Sequence, residues 1–206
     1  FMLRANAMHL AGADVSILNR NEIAEREPAI DLDPQARFPV SGALFQPEGG
    51  VVRHDAVAWG FARSASAKGI HIQQNCAVTG LTIKANRVTG VSTPLGEFAT
   101  EKLLICAAGA TAPLAELAGI RLPMQMINVQ AFVTEPVKPI LDCVVNYNAG
   151  LSYISQSDKG ELVLGGATDG YLSRARRGSF ARIEDTLARA LQMFPWLSQL
   201  RMLRHW

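Results

Sequence analysis

Apolar positions fall in short runs whose spacing switches between helical and extended periods along the chain. From Asp55 to Gly69 they recur at Val57, Ala58, Phe61, Ala62 and Ala65, the spacing of one helix face, with Asp55 as cap and Gly69 as stop. A strand is predicted at Ile70–Ile72. Two arms of a meander follow at Leu81–Ile83 and Arg87–Val91, with turn chemistry from Asn86 and Gly90. Lys102–Ala107 is a continuous apolar run of strand length, the pattern of a strand buried on both faces. It ends in Ala107-Ala108-Gly109-Ala110, and a helix is predicted from Thr111, with Pro113 in its first turn, to Gly119.

The flanks read differently. A helix is predicted over 1–11 with Gly12 as its stop, then a strand at Val15–Leu18. Asn21 is the predicted cap of an acidic helix that ends before Pro28, and 29–38 is a loop before a strand at Val40–Gln46. Beyond Pro123, strands are predicted at Gln125–Thr134, Val144–Asn148, Leu151–Gln156 and Glu161–Gly166. Asn148-Ala149-Gly150 and Ser157-Asp158-Lys159-Gly160 are tight connections, which makes this an antiparallel sheet. Ser179 caps an amphipathic helix with Ile183, Leu187, Ala190, Leu191 and Phe194 on one face, and Arg201–Trp206 is a final strand.

Composition narrows the function classes. The 206 residues are 49% hydrophobic and carry a net charge of +2, which gives no electrostatic case for nucleic acid or an anionic membrane. Arg174, Arg176 and Arg177 form a local cluster read as solvated surface. Cys76, Cys106 and Cys143 lack paired short spacing, so neither a metal site nor a disulfide framework is predicted; two of them sit in strand-like settings as core thiols, which suits a reducing cytoplasm. No apolar run reaches bilayer length.

The Ala107–Ala110 junction carries the most chemistry. A strand that breaks into a helix through four small residues lets a ligand approach the backbone, with free N–H groups of the helix pointing outward. Contact with a phosphate-bearing cofactor and a tight packing corner are both open readings of it.

Over the whole stretch 51–110 the ambiguity narrows. A helix leading to Ala77-Val78-Thr79-Gly80, then a strand ending in Ala-Ala-Gly, resembles a cofactor-contacting segment of the glycine/D-amino-acid oxidase class of flavoproteins. The phrases RHDAVAWGFA (Arg53–Ala62) and YISQSDKGELVLGG (Tyr153–Gly166) are similar to the beta subunit of heterotetrameric sarcosine oxidase, and the similarity runs from end to end. The resemblance implies an α+β or α/β fold, in which an FAD-binding α/β layer is interleaved with a mixed or antiparallel-sheet substrate domain. It assigns 51–119 to the FAD-binding layer, 13–50 and 120–206 to the substrate domain, and 1–12 to a helix. It also implies non-covalent FAD contacted by the backbone of Val78 and by Ala108 and Gly109, and FMN joined covalently to His54 with Arg53 beside it. On residue type alone, a histidine between Arg53 and Asp55 is an ordinary surface or capping residue.

The same resemblance places Tyr153, Thr168 and Asp169 on the substrate side, on a hairpin facing the flavin ring. By themselves Tyr153 reads as a half-buried sheet tyrosine and Asp169 as a turn residue. The implied reaction oxidises the N-methyl C–H of sarcosine, or of a related secondary amine acid, giving glycine and formaldehyde. Electrons pass to FAD, to FMN and then to oxygen, and the implied partners are a small amine substrate and other subunits of a hetero-oligomer. The alternatives are a dehydrogenase of proline, hydroxyproline or an opine, and a non-catalytic structural fragment.

One expected signature is absent. No two of the 17 glycines are separated by a single residue, so the chain holds no G-x-G-x-x-G turn for a dinucleotide pyrophosphate. With Phe1 as its first residue, the chain is expected to be the central part of a longer family member, unable to hold FAD tightly or to act alone.

Overall fold

The computed structural model describes residues 1–147, 151–175 and 177–206; the predicted Asn148-Ala149-Gly150 turn and Arg176 of the arginine cluster lie outside them. The chain divides into two compact units, one formed by Phe1–Val51 with Ile127–Trp206, the other by Val52–Met126.

The discontinuous unit begins with α1 (Met2–Leu10), which ends before Gly12 at φ +83°. β1 (Ser16–Leu18) pairs antiparallel with β2 (Ala43–Phe45). Between them α2 (Arg20–Arg26) is capped by Asn19 rather than by the predicted Asn21. The Asn19 side chain accepts from the Asn21 and Glu22 N–H groups while the Glu22 carboxylate accepts from the Asn19 N–H, closing a capping box. Asn21 is a residue inside the helix, because only Asn19 has an acidic partner three residues on.

After the 75 residues of the other unit come β6 (Ile127–Pro136), β7 (Val145–Tyr147), β8 (Ser152–Gln156), β9 (Glu161–Leu172) and β10 (Met202–His205), which form a five-stranded antiparallel sheet in the order β10-β6-β9-β8-β7. β9 runs six residues beyond the predicted end at Gly166. It does so by inserting a bulge: Gln130 of β6 faces Ala167, but Ala131 faces Gly165, leaving Gly166 unpaired at φ +120°. α5 (Phe180–Met193) lies against β6, β8 and β9, and a 3-10 turn, Pro195–Gln199, continues it.

Alternation explains the core of this unit. Phe132, Ile154, Leu162 and Leu164 project to the α5 side and meet Ala190, Phe194 and Leu197; each of the seven is at most 6% exposed. The ring of Phe194 meets those of Tyr147 and Trp196 edge to face, with centroids 6.5 and 6.0 Å away. The 29–31 segment is tied in by two hydrogen bonds, Trp196 Nε1–H to Ala29 O at 2.9 Å and Asp31 N–H to Met193 O at 2.8 Å.

The continuous unit starts with α3 (His54–Ala67). Its N-cap is Arg53; Asp55, the predicted cap, lies in the first turn and accepts from Arg53 at 3.2 Å. None of the fourteen residues of α3 is buried, and Trp59 is 57% exposed. The predicted meander gains a third strand: β3 (Gly80–Lys84), β4 (Arg87–Thr93) and β5 (Gly96–Ala99) are antiparallel neighbours. Its first turn is Ala85–Asn86, both at positive φ (47° and 60°), the backbone a two-residue hairpin with right-twisted strands requires. Gly90 is not a turn residue. It sits inside β4, where a Cβ would come 3.0 Å from the Phe98 carbonyl oxygen.

Two predicted strands are not strands. Residues 70–73 and 102–107 enter no ladder among the described residues, and Leu104 is 86% exposed. A parallel strand is held by neighbours on its flanks, and no described strand flanks either segment. Cys106, predicted as a core thiol, is exposed for the same reason. Among the described residues no helix is long and apolar enough to cross a membrane.

Candidate functional site

In the continuous unit the extended run 102–107 ends at Ala108, which takes φ +45°, a left-handed conformation that costs a residue with a Cβ about 1 kcal/mol or more. A 3-10 turn over Ala108–Ala110 then leads into α4 (Thr111–Glu116), and the Thr111 Oγ1 accepts from the Ala107 N–H at 3.2 Å. At Gly109 a Cβ would fall 2.0 Å from Sδ of Met126, so a larger residue there must displace that thioether. The helix reaches only Glu116, short of Gly119 at φ +71°.

Ala107, the first residue of this junction, and Val78 share one hollow. Val78, Leu81, Leu103, Ile105, Ala107 and Leu114 are among the residues lining an apolar recess of about 170 Å³. An apolar recess beside a turn of small residues fits a flat heteroaromatic ring, such as the adenine of a dinucleotide. His54 lies elsewhere in this unit, in the first turn of α3, exposed, next to Arg53. The Asp55 carboxyl is held below its ordinary value by the Ala56 N–H and then by Arg53.

In the discontinuous unit the sheet separates the three predicted substrate-side residues. Tyr153 stands beside Ile154, which points into the core, so its ring lies on the other face, over Gly165; a Cβ on Gly165 would come 2.7 Å from the Tyr153 hydroxyl. Partial burial pushes the Tyr153 phenol above its ordinary value. Thr168 is exposed, opposite Val129 of β6. Asp169 is 5% exposed and turned to the α5 side, accepting from Gln130 Nε2 at 3.0 Å with Arg182 Nε at 3.9 Å. Tyr153 and Thr168 therefore present to the face away from α5, and Asp169 does not. Asp169 is also no turn residue; it continues β9 past the bulge.

Two groups of side chains were not legible in the sequence. Gln130, Asp169, Ser179, Arg182 and His205 converge on the core side of the sheet end. Glu27, Asp142 and Cys143 bring ligand-type atoms within 4.8 Å of one another, with the Cys143 thiol 3.5 Å from Glu27 Oε2. Burial raises Glu27 above its ordinary value, and burial, then the Glu27 charge, pushes Cys143 up to about 12. Partners 39 to 116 residues apart leave no local signal.

Comparison with known proteins fits these features. The chain is 49% identical over 203 residues to sarcosine oxidase subunit beta of Rhizobium meliloti (strain 1021), covering 98% of this chain and 49% of the relative. It is 40% identical over 203 residues to sarcosine oxidase subunit beta of Arthrobacter sp, covering 98% and 50%. The chain thus spans about half the length of the curated relatives it matches. Among solved structures, L-proline dehydrogenase from P. horikoshii superimposes with a TM-score of 0.87 at 22% identity, over 98% of this chain and 54% of that one, which shows the same α+β fold. The model of the DAO family, described as FAD dependent oxidoreductase, matches residues 2–206. With the sheet, the small-residue junction and the sequence similarity in agreement, this chain belongs to the DAO family of FAD-dependent oxidoreductases.

Proposed function

We propose that this chain belongs to the flavoprotein subunit of a hetero-oligomeric amine oxidase that acts on sarcosine. The end-to-end similarity to sarcosine oxidase beta subunits carries this reading. In it, residues 51–119 serve the FAD-binding layer, and 13–50 with 120–206 serve the substrate domain. The apolar recess at Val78 holds the adenine, and the backbone of Ala108 and Gly109 lies against the dinucleotide. The recess and the left-handed Ala108 at the end of the 102–107 run support this placement. His54 is the attachment point of covalent FMN, and exposure at the start of α3 leaves its ring accessible for it. Arg53 lies beside that flavin's phosphate or its N1–C2=O edge, and other subunits complete the assembly.

The flavin, when bound, supplies an acceptor for two electrons. The remaining work belongs to the protein. Tyr153 and Thr168 line the open sheet face and orient the substrate there. The phenol, raised above its ordinary value, stays protonated at neutral pH and donates a hydrogen bond. Sarcosine loses two electrons and two protons, one from its N-methyl C–H and one from its N–H, as the C–N bond becomes an imine; water adds to the imine, giving glycine and formaldehyde, while oxygen takes up the two electrons and two protons as hydrogen peroxide.

The test is a visible spectrum of the purified flavoprotein before and after acid precipitation, with sarcosine-dependent oxygen uptake and formaldehyde release. Flavin that stays with the precipitate and is lost in His54→Ala supports the covalent assignment. Failure to oxidise sarcosine while oxidising proline or an opine overturns the substrate.

A further inference from the structure

The core side of the sheet end holds a closed polar cluster that the proposed chemistry does not use. Gln130 of β6 is its hub and is 4% exposed. The Ser179 N–H donates to Gln130 Oε1 at 2.9 Å, which fixes the orientation of the amide. Its Nε2 then faces Asp169 Oδ1 at 3.0 Å and Ser179 Oγ at 3.4 Å. His205 Nε2 lies 3.0 Å from the same Oε1, and since that oxygen only accepts, His205 must carry its proton on Nε2. Gly178 leaves room for this ring: a Cβ there would fall 1.6 Å from His205 Cε1. The cluster therefore ties β6, β9 and β10 to the start of α5.

Its location gives it a use. The bulge at Gly166 redirects β9 just before Thr168, and glycine is needed there because a Cβ would meet the Leu151 carbonyl oxygen at 2.0 Å. A strand that has lost its register to a bulge needs a new anchor if its next residues are to be held in one orientation. Asp169, the residue after Thr168, is that anchor: its carboxylate is locked on the core side, so Thr168 must point to the open face. We infer that Gln130 and Asp169, seated by His205, are positioning residues that fix Thr168 toward the substrate. This rests on the sarcosine reading above.

Exchanging the pair's chemistry tests it in the flavin-loaded holoenzyme. In Gln130→Glu the new carboxylate faces Asp169 across the same gap. Among the described residues, His205 on β10 and Arg182 on α5 are the other charged or titratable groups in contact with the pair. At low pH the two carboxyls share one proton and keep their hydrogen bond; as pH rises that proton leaves and like charges oppose each other. The ratio of variant to wild-type KM for sarcosine is expected to climb roughly tenfold from acid to alkaline pH, with kcat changing by less than about twofold. The swapped pair Gln130→Glu with Asp169→Asn restores an amide–carboxylate hydrogen bond, and its KM ratio is expected to be flat and within about twofold of one. His205→Phe removes a donor without adding a charge and is expected to raise KM roughly threefold at every pH. A KM ratio near one for Gln130→Glu at all pH values overturns the proposal. So does an unchanged KM in His205→Phe, which is decisive where Gln130→Glu does not fold. Absence of sarcosine oxidation by the wild-type holoenzyme instead overturns the functional reading, and this inference with it.

Discussion

Gly109→Ala separates the two uses of a small residue at the end of the 102–107 run. The added Cβ falls 2.0 Å from Met126 Sδ, 3.3 Å from Cε and 3.5 Å from Cγ. Carbon and sulfur atoms rest at about 4 Å, so the thioether must move by roughly 2 Å. Overpacking of this kind costs about 1–3 kcal/mol, and the low end applies because Met126 is half-buried and has three rotatable bonds. Met126→Ala removes the obstacle, so the double variant is expected to recover about 1 kcal/mol relative to the sum of the single changes. The assays are denaturant unfolding and flavin content per polypeptide for all four members of the cycle. If Gly109 lies against the dinucleotide, the double variant regains the stability lost to overpacking but still lacks flavin, because the methyl group stands where the cofactor approaches. Full recovery of flavin in the double variant would refute close cofactor approach and leave a packing corner. Absence of any coupling between the two substitutions would refute the steric argument itself.

Asn19→Ala opens the capping box of α2 and is expected to lower unfolding stability by about 1 kcal/mol, read from the denaturation midpoint. Glu27 titrates in the native state above its unfolded value of 4.5 because burial penalises the charge. Its contribution to stability is thus complete below that value and is lost as pH rises through the native one; Glu27→Gln is expected to abolish this loss, and a stability–pH curve identical to wild type would sink the assignment. With an aromatic disulfide reagent at neutral pH, the exposed Cys106 is expected to react first. Cys143, with its thiol pushed up to about 12, is expected to react only on unfolding, as mass mapping of the labelled peptides will show.

The five-stranded sheet was largely legible because its signals are local. Alternation and turn residues located β6, β8 and the start of β9, and a helical period located α5. The extension of β9 was not legible, since Gly166 looks like a stop and becomes a bulge only when β6 supplies a partner. The reading failed at 70–72 and 102–107 for the opposite reason. An apolar run reports a preference for burial, but a strand exists only where neighbours supply its hydrogen bonds. At the candidate site, Val78 and the Ala108–Gly109 turn were singled out by resemblance, whereas the recess lined by Val78 and Ala107 is visible only in the geometry. The different facing of Thr168 and Asp169 follows from alternation, but alternation does not say which face α5 covers. Gln130 carried no signal, because glutamine in a strand is unremarkable until its partners arrive from 39 to 75 residues away.

The discontinuous unit also sets a timetable for synthesis. The Ala29 carbonyl and the Asp31 N–H pair with Trp196 and Met193, and the residues between include the whole of Val52–Met126. At about 5–20 residues per second, the N-terminal segment waits on the order of ten seconds or longer after emerging before its docking surface exists. Throughout that interval Ala29 and Ile30, which pack on the core between the sheet and α5, lack that cover. The 29–31 segment is thus secured only after residues far downstream are made, and it is the stretch where chaperone dependence and nascent-chain aggregation are expected to concentrate.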